Sequence, residues 1–319
     1  MKKVRLYGLV SVLVFIVFLN VPQTASAISE DDVRAMMATV NDHLAAMGED
    51  FRLGVVEYYT ENINNTEVGQ IVYFDDRTHQ LSSHWVPFDP NRDSRRNITW
   101  LTDQVDGTAS GVTLEQTQTA LSAAMATWNG VDCATIPLDQ LDDFGWDWGY
   151  VQYQYWRGPD DPPGINGGSP IWWYGDIRHC GWLPPDFYEV VLGPGTSTYV
   201  LGVSFTFIWI DTSTGLPSDM DNNGKDDVAF KEFYYNNWFP WGINTTGYPI
   251  DVESIVLHEV GHGLSLDHFG KLFRTPSNGK LHFAPEAVMN AGYTGRIHQE
   301  LFGTDIASFC SIWAHWPNN

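Results

Sequence analysis

Cysteine is scarce in this chain: three among 319 residues, at positions 133, 180 and 310. That excludes the dense disulfide framework that staples small extracellular domains, so a hydrophobic core has to carry the fold. One pair at most can form within the chain; Cys133 with Cys180 would leave Cys310 over, and sequence alone does not choose. Positive charge is scarce too, with 17 Lys and Arg against 39 Asp and Glu and a net charge of −22. A chain this acidic is not built to follow phosphate backbones or anionic lipid, which argues against nucleic acid and membrane surfaces as partners. Only one long apolar run is present, Leu6–Val21, shorter than the roughly 20 residues of a membrane span. Internal repeats, low-complexity tracts, a glycine-rich phosphate loop and a G-x-S-x-G elbow are all absent. Solenoids, nucleotide chemistry and serine hydrolysis are disfavoured accordingly.

What is there begins with Lys2, Lys3 and Arg5 ahead of that apolar run, followed by the small residues Ala25-Ser26-Ala27. This order of charged, apolar and small segments predicts an export signal over residues 1–27, and hence a secreted protein, extracellular or periplasmic. Without those residues, which carry three cations and no acid, the net charge moves from −22 to −25. Hydrophobic residues make up 43% of the chain and aromatics 14%, enough for a packed core and against global disorder.

The spacing of apolar residues predicts a helix over 29–47 capped by Ser29, then strands over Leu53–Thr60 and Val68–Phe74 around an Asn-rich turn at 62–66. A polar, turn-rich stretch from Asp89 to Arg96 suggests a boundary, dividing an N-terminal segment (28–96) from the main domain (97–319). Beyond it come a strand at Asn97–Leu101 and a helix at Leu114–Trp128. From Asp142 to Gly195 the chain is rich in Gly, Pro and Trp, with only short strands expected. Val200–Ile210 reads as a strand covered on both sides, and Val228–Tyr235 as a strand or short helix. Helices are expected at Val252–Gly263, with Asp251 as its cap, and at Thr304–Trp313, with Thr304 as its cap.

The chemistry-bearing segment is His258-Glu259-Val260-Gly261-His262-Gly263-Leu264-Ser265-Leu266-Asp267-His268. On a helix, His258 and His262 lie one turn apart on one face, so two imidazoles converge on one ion. His268 arrives after the chain turns back, which keeps a coordination position open. Three neutral nitrogens plus a water is the composition of a catalytic zinc site. Glu259, rotated away from the histidines but near the fourth position, is the expected general base toward the zinc-bound water as it attacks a carbonyl.

This segment resembles the motif of the metzincin clan of zinc endopeptidases, H-E-x-x-H-x-x-G-x-x-H followed by a methionine turn, and more narrowly that of its matrixin-type members. The resemblance covers about residues 97–316, with specific motifs in 251–293. It implies an α+β domain with a twisted mixed sheet, a backing helix near 114–128, the active-site helix and a methionine turn, here preceded by a small αββ segment. It implies a single catalytic zinc and hydrolysis of peptide bonds in a protein or peptide substrate. Ala287-Val288-Met289-Asn290 falls where the turn would lie, making Met289 the hydrophobic floor beneath the metal. Tyr293 matches the aromatic position that helps wall the pocket for the residue after the scissile bond. Val200–Ile210 is expected as the edge strand that pairs with extended substrate.

Three departures from the family pattern matter. Ser265 replaces the glycine that relieves a left-handed backbone, at a cost of about 1 kcal/mol. The H-G-D run of the second matrixin zinc site is missing, and His179 after Asp176 is at most a remnant of it. No cysteine precedes Cys133, so cysteine-switch latency cannot operate from residues 28–96, which are either a removable pro-segment or a fixed subdomain.

A second constellation runs from Asp219 to Asp227. Asp219, Asp221 and Asn223 at alternate positions, Gly224 at the bend, the Lys225 carbonyl and Asp227 resemble a D-x-D-x-N-G calcium loop, with Phe230 where its bidentate Glu would stand. Calcium there would stabilise rather than catalyse. The alternative function is an extracellular calcium-dependent binding protein whose zinc site is structural or vestigial. The retained Glu259 argues against it, because a purely structural site needs no base. Asn64, Asn97 and Asn244 each begin an N-x-[ST] sequon.

Overall fold

The computed structural model describes residues 28–75, 83–103, 105, 107–156 and 174–318; the expected export signal lies outside them. Ser29 caps the first helix, α1 (Glu30–Met47), by accepting the Asp32 N–H, and Gly48 ends it with a φ of 79°. Val33, Met36, Met37, Val40 and Leu44 recur on one face of α1 and are buried. The chain returns as β1 (Phe51–Glu61), on which the short β2 (Ile71–Tyr73) pairs antiparallel. β3 (Ser83–His84) precedes the turn-rich stretch at 89–96 and β4 (Ile98–Thr102) follows it. α2 (Leu114–Asn129) opens with a capping box between Thr113 and Gln116.

After β5 (Leu138–Gln140), the stretch expected to hold only short strands contains more. It carries β6 (Ile177–Leu183), buried at every position, and a helix, α3 (Pro185–Leu192). Pro185 in the first turn, where an N–H would have no partner, is the signal for that helix. There follow β7 (Val200–Asp211), β8 (Leu216–Pro217), β9 (Asp226–Asn236), β10 (Trp241–Gly242) and β11 (Ile250–Asp251), which lead into α4 (Val252–Gly263). The hairpin of β12 (Lys271–Arg274) and β13 (Leu281–Ala284), then β14 (Gly292–Tyr293) and α5 (Gly303–Trp313), complete the chain. Thr304 lies inside the first turn of α5 and does not cap it; the Asp305 carboxylate accepts the Phe302 N–H at 2.9 Å instead.

The result is a mixed α+β fold around one ten-stranded sheet in the order β14-β1-β7-β9-β6-β4-β5, with β2, β3 and β8 attached at its sides. β4, β5, β6 and β9 run parallel, β7 is antiparallel to β9, and β1 is antiparallel to β7. Strands from both sides of the 89–96 stretch therefore share one sheet. Side chains alternate between two layers: Tyr59, Trp100, Phe233 and Tyr235 pack with α2, α4 and α5, whereas Tyr58, Leu101 and Tyr234 pack with α1 and α3. β7 is covered on both faces, as its unbroken apolar run predicts. It is not, however, an edge strand: β1 occupies that side from Phe51 opposite Trp209 to Thr60 opposite Val200. The expected pairing of β7 with substrate is overturned, because the N-terminal segment already uses its hydrogen-bonding groups.

Cys133, just beyond α2, is bonded to Cys310 of α5, and Cys180 is free and buried in β6. A Cys133–Cys180 pair is ruled out by layer: Cys180 packs on the α1/α3 side of the sheet, and Cys133 on the other. No described helix is long and apolar enough to cross a membrane.

Across the 89–96 junction, Asp176 is gripped by Arg92 through two bonds of 3.0 Å, by Arg95, and by the Thr99 N–H at 2.8 Å. Burial works against the Asp176 charge, but the two guanidinium groups outweigh it and hold its pKa below the ordinary carboxylate value. Asp176→Asn is expected to destabilise the fold by about 3–5 kcal/mol at pH 7, since Arg92 stays buried without its counterion. A group whose folded pKa is depressed stabilises fully above its unfolded pKa and loses that contribution as pH falls through the folded value. The gap between wild type and variant in urea unfolding should therefore close toward pH 3; a gap independent of pH would contradict this account.

Candidate metal centre

α4 begins at Asp251, whose carboxylate accepts the Ser254 N–H at 3.0 Å, and it packs along α2. Its far end is fixed by donors from elsewhere in the fold. The Trp85 indole donates to the Gly263 carbonyl at 2.9 Å, the Trp313 indole to that of Leu264 at 2.9 Å, and the Lys231 ammonium to that of His262 at 2.6 Å. The Gly263 and Leu264 carbonyls would otherwise be orphans of the helix terminus, and that of His262 also accepts the Ser265 N–H at 2.9 Å, so these donors lock the turn that follows. Ser265 sits in that turn with a φ of 63°, the left-handed conformation the family's glycine would take. The reversal brings His268 back to the helix.

The three histidines meet. Nε2 of His262 lies 3.0 Å from Nε2 of His258 and 3.1 Å from that of His268, and the third separation is 3.2 Å. Nδ1 of His258 faces the Val288 carbonyl at 2.8 Å, and Nδ1 of His262 faces the Leu266 carbonyl at 2.8 Å and Glu57 Oε1 at 2.9 Å. Those acceptors assign the ring protons of both residues to Nδ1, which leaves bare Nε2 lone pairs pointing at one another. Burial, reinforced by the neighbouring rings, holds His258 well below its ordinary pKa and brings His268 down to about 3, whereas Glu57 outweighs burial at His262 and raises it. Three ring nitrogens this close are favourable only with a cation, a proton or a metal ion, between them. Zinc–nitrogen bonds of about 2.0–2.1 Å in a tetrahedral site place ligand atoms roughly 3.3 Å apart, so the donor set fits that ion.

Around the three histidines stand residues that the motif does not contain. Glu57 of β1 is 4% exposed, and its second oxygen accepts from Ser204 Oγ at 3.3 Å. Burial would raise the Glu57 carboxyl, but the His262 ring and the Lys231 ammonium outweigh it and hold it at about 2. Tyr59, two residues on, lies flat on the His258 ring, with centroids 3.9 Å apart. Both project from β1 toward α4 by strand alternation. The signal available in the sequence is an acid in the apolar run Gly54–Thr60, and likewise Lys231 in Val228–Tyr235.

Glu259 is 1% exposed, and neither carboxylate oxygen has a hydrogen-bond partner among the described residues. Burial pushes its carboxyl up to about 8. Room for it comes from Gly202 of β7, where a Cβ would stand 2.7 Å from Glu259 Oε1. Gly261 plays the same part for Met289: a Cβ there would stand 2.2 Å from the Met289 sulfur, so the methionine lies against α4 at the His-Glu turn. The Met289 turn is held by Asp305, which accepts the Val288 and Met289 N–H groups at 2.9 and 3.1 Å. Tyr293 is buried at 1% exposure, with its backbone in β14 beside β1. His179 stacks on Phe233, accompanied by Tyr235, and joins no metal-ligating group among the described residues.

The second constellation also gathers. Asp219, Asp221 and Asp227 each bring a carboxylate oxygen within 4.8 Å of the others. Asp227 is 1% exposed, and its Oδ1 has no hydrogen-bond partner among the described residues. The Asn223 side-chain oxygen is engaged by the Lys225 N–H at 2.8 Å, and the Lys225 ammonium approaches His84 Nε2 at 3.2 Å. Compared with models of known protein families and with curated protein sequences, the chain matches none.

Proposed function

We propose that this chain is a secreted zinc-dependent endopeptidase of the metzincin type, with His258, His262 and His268 holding one zinc ion and Glu259 as general base. The observation that carries the reading is the convergence of three Nε2 atoms within 3.2 Å, next along the chain to a buried carboxylate that accepts no hydrogen bond among the described residues. Bound there, zinc would supply Lewis acidity, polarising a scissile carbonyl and making water acidic enough to attack it. The chain's own residues supply the rest. Neither Glu259 oxygen has a hydrogen-bond partner among the described residues, and with a cation nearby to offset the burial that raises its carboxyl, Glu259 would take a proton and return it to the leaving amine. Val288, Leu266 and Glu57 fix the ring orientations, so the ligands need not reorganise. Met289 against α4 and the left-handed Ser265 support the metzincin comparison. A buried, unpartnered carboxylate costs stability, and a purely structural metal site has no use for one.

The loop from Asp219 to Asp227 is the proposed calcium site, and its role is stabilisation. Both metals are tested by chelating residues 28–319 and adding back one ion at a time. The expected result is a single zinc per chain, casein cleavage that stops on chelation, and recovery with zinc but not calcium. Calcium instead raises Tm, as a cation bound only by the folded state must. A folded chain that binds no zinc would sink the metal site. A zinc-loaded chain that leaves casein intact would sink general proteolysis and favour the binding-protein alternative.

A further inference from the structure

A cleft of about 560 Å³ is lined by three segments and by Thr246. One wall is the turn beginning at Asn62, the second the β12–β13 hairpin, and the third residues 294–296. Each wall continues a segment that builds the centre. β1 carries Glu57 and Tyr59 toward Asn62, the hairpin starts three residues after His268, and the third wall follows Met289 and Tyr293. At about 3.3 Å per extended residue, Asn62 is roughly 10 Å along the chain from Tyr59, which lies on the His258 ring.

None of the residues lining this cleft is a carboxylate, in a chain with 39 acids and 17 bases. Arg274, Lys280 and Arg296 line it instead. Arg296 is shared with Glu286, at 2.8 and 3.0 Å. Arg274 and Lys280 are exposed and have no carboxylate partner among the described residues. Five other described cations are engaged elsewhere, Arg92 and Arg95 by Asp176, Arg178 by Glu232, Arg34 by Glu30 and Arg52 by Asp75, while Arg96 and Lys271 are exposed as well.

We infer that this cleft takes a carboxylate-bearing stretch of the substrate, so that the chain cleaves peptides carrying Asp or Glu about three to six residues from the scissile bond, the upper figure set by Arg274, six residues along the chain from His268. The inference rests on the peptidase reading of the metal centre. Its physical basis is charge contrast. The strongly acidic remainder of the chain repels an acidic peptide, while a guanidinium and an ammonium in a concave wall attract it, which orients the chain across the centre. Arg274 can accept a carboxylate in bidentate fashion, and Lys280 adds a point charge.

The test uses peptides of one cleavable core, taken from casein fragments, with Glu, Gln or Lys placed in turn at each of the third to sixth positions on either side of the bond. On one side, kcat/KM should fall in the order Glu, Gln, Lys, spanning about tenfold, with the difference in KM and shrinking at high salt. R274E/K280E should reverse that order and R274Q/K280Q should abolish it. Equal cleavage of all three peptides, or an unchanged order in the charge-reversed variant, would overturn the inference and leave the peptidase reading intact. Fluorescence anisotropy of the same peptides on Glu259→Gln separates the opposite case. Tighter binding of the Glu peptide, reversed by R274E/K280E, in a chain whose wild type cleaves nothing would keep the cleft and sink the peptidase.

Discussion

Glu259→Gln is expected to lower kcat by about 10²–10⁴-fold while the single zinc stays bound. The argument is one of proton capacity at constant shape. Gln keeps the volume that Gly202 leaves open and cannot take a proton from the attacking water or pass it to the amine. None of the ligand-orienting contacts involves Glu259; His258 and His262 are held by Val288, Leu266 and Glu57. Stability should move little. Glu259 is buried with no hydrogen-bond partner among the described residues and its carboxyl is raised to about 8, so at neutral pH the exchange replaces one buried neutral group with another, and Tm should stay close to that of wild type. Zinc content, Tm and casein turnover measured together check all three. Wild-type turnover would place the general base elsewhere, and loss of zinc would make Glu259 part of the ligand scaffold.

The candidate ligands are legible in the sequence because their geometry is local. Helical spacing puts His258 and His262 on one face, Asp251 caps the helix, and the turn at Ser265 returns His268, all within 18 residues. The partners that orient those ligands are not legible, since Glu57, Trp85 and Lys231 come from distant strands and segments. A strand pattern reports which faces are covered and is silent about which strand lies alongside. Hence the apolar run Val200–Ile210 reveals that both its faces are covered but not that β1 lies between it and the sheet edge. The same limit applies to Cys133, whose partner depends on α2 and α5 meeting, and to α3, hidden in a Gly- and Pro-rich stretch. Charged residues inside apolar strand runs, Glu57, Arg178, Lys231 and Glu232, are the available hint. Each is buried and partnered through tertiary structure.

A chain beginning at residue 97 is expected not to fold into a zinc-binding form, a result that would make residues 28–96 a fixed part of the molecule and not a removable pro-segment. Removing them would strip β1 from between β14 and β7 and take α1 off the opposite face. Phe205, Phe207 and Trp209 would lose their apolar cover, and β7 would be left with an unpaired edge. Loss of the fold alone would not show that the segment serves the metal, so the decisive variants are single. Glu57→Ala should weaken zinc binding about 10–100-fold, the usual effect of removing a partner that orients a ligand. Glu57→Gln, which keeps an acceptor for the His262 N–H, should lose less. Competition with a zinc chelator measures both, and Tm reports whether the sheet has survived. Equal affinity in wild type and Glu57→Ala would leave His262 oriented by the Leu266 carbonyl alone. Recovery of an active secreted protein that starts near residue 97 would show that the fold tolerates the loss of β1, and with it that the metal centre is complete without the N-terminal segment.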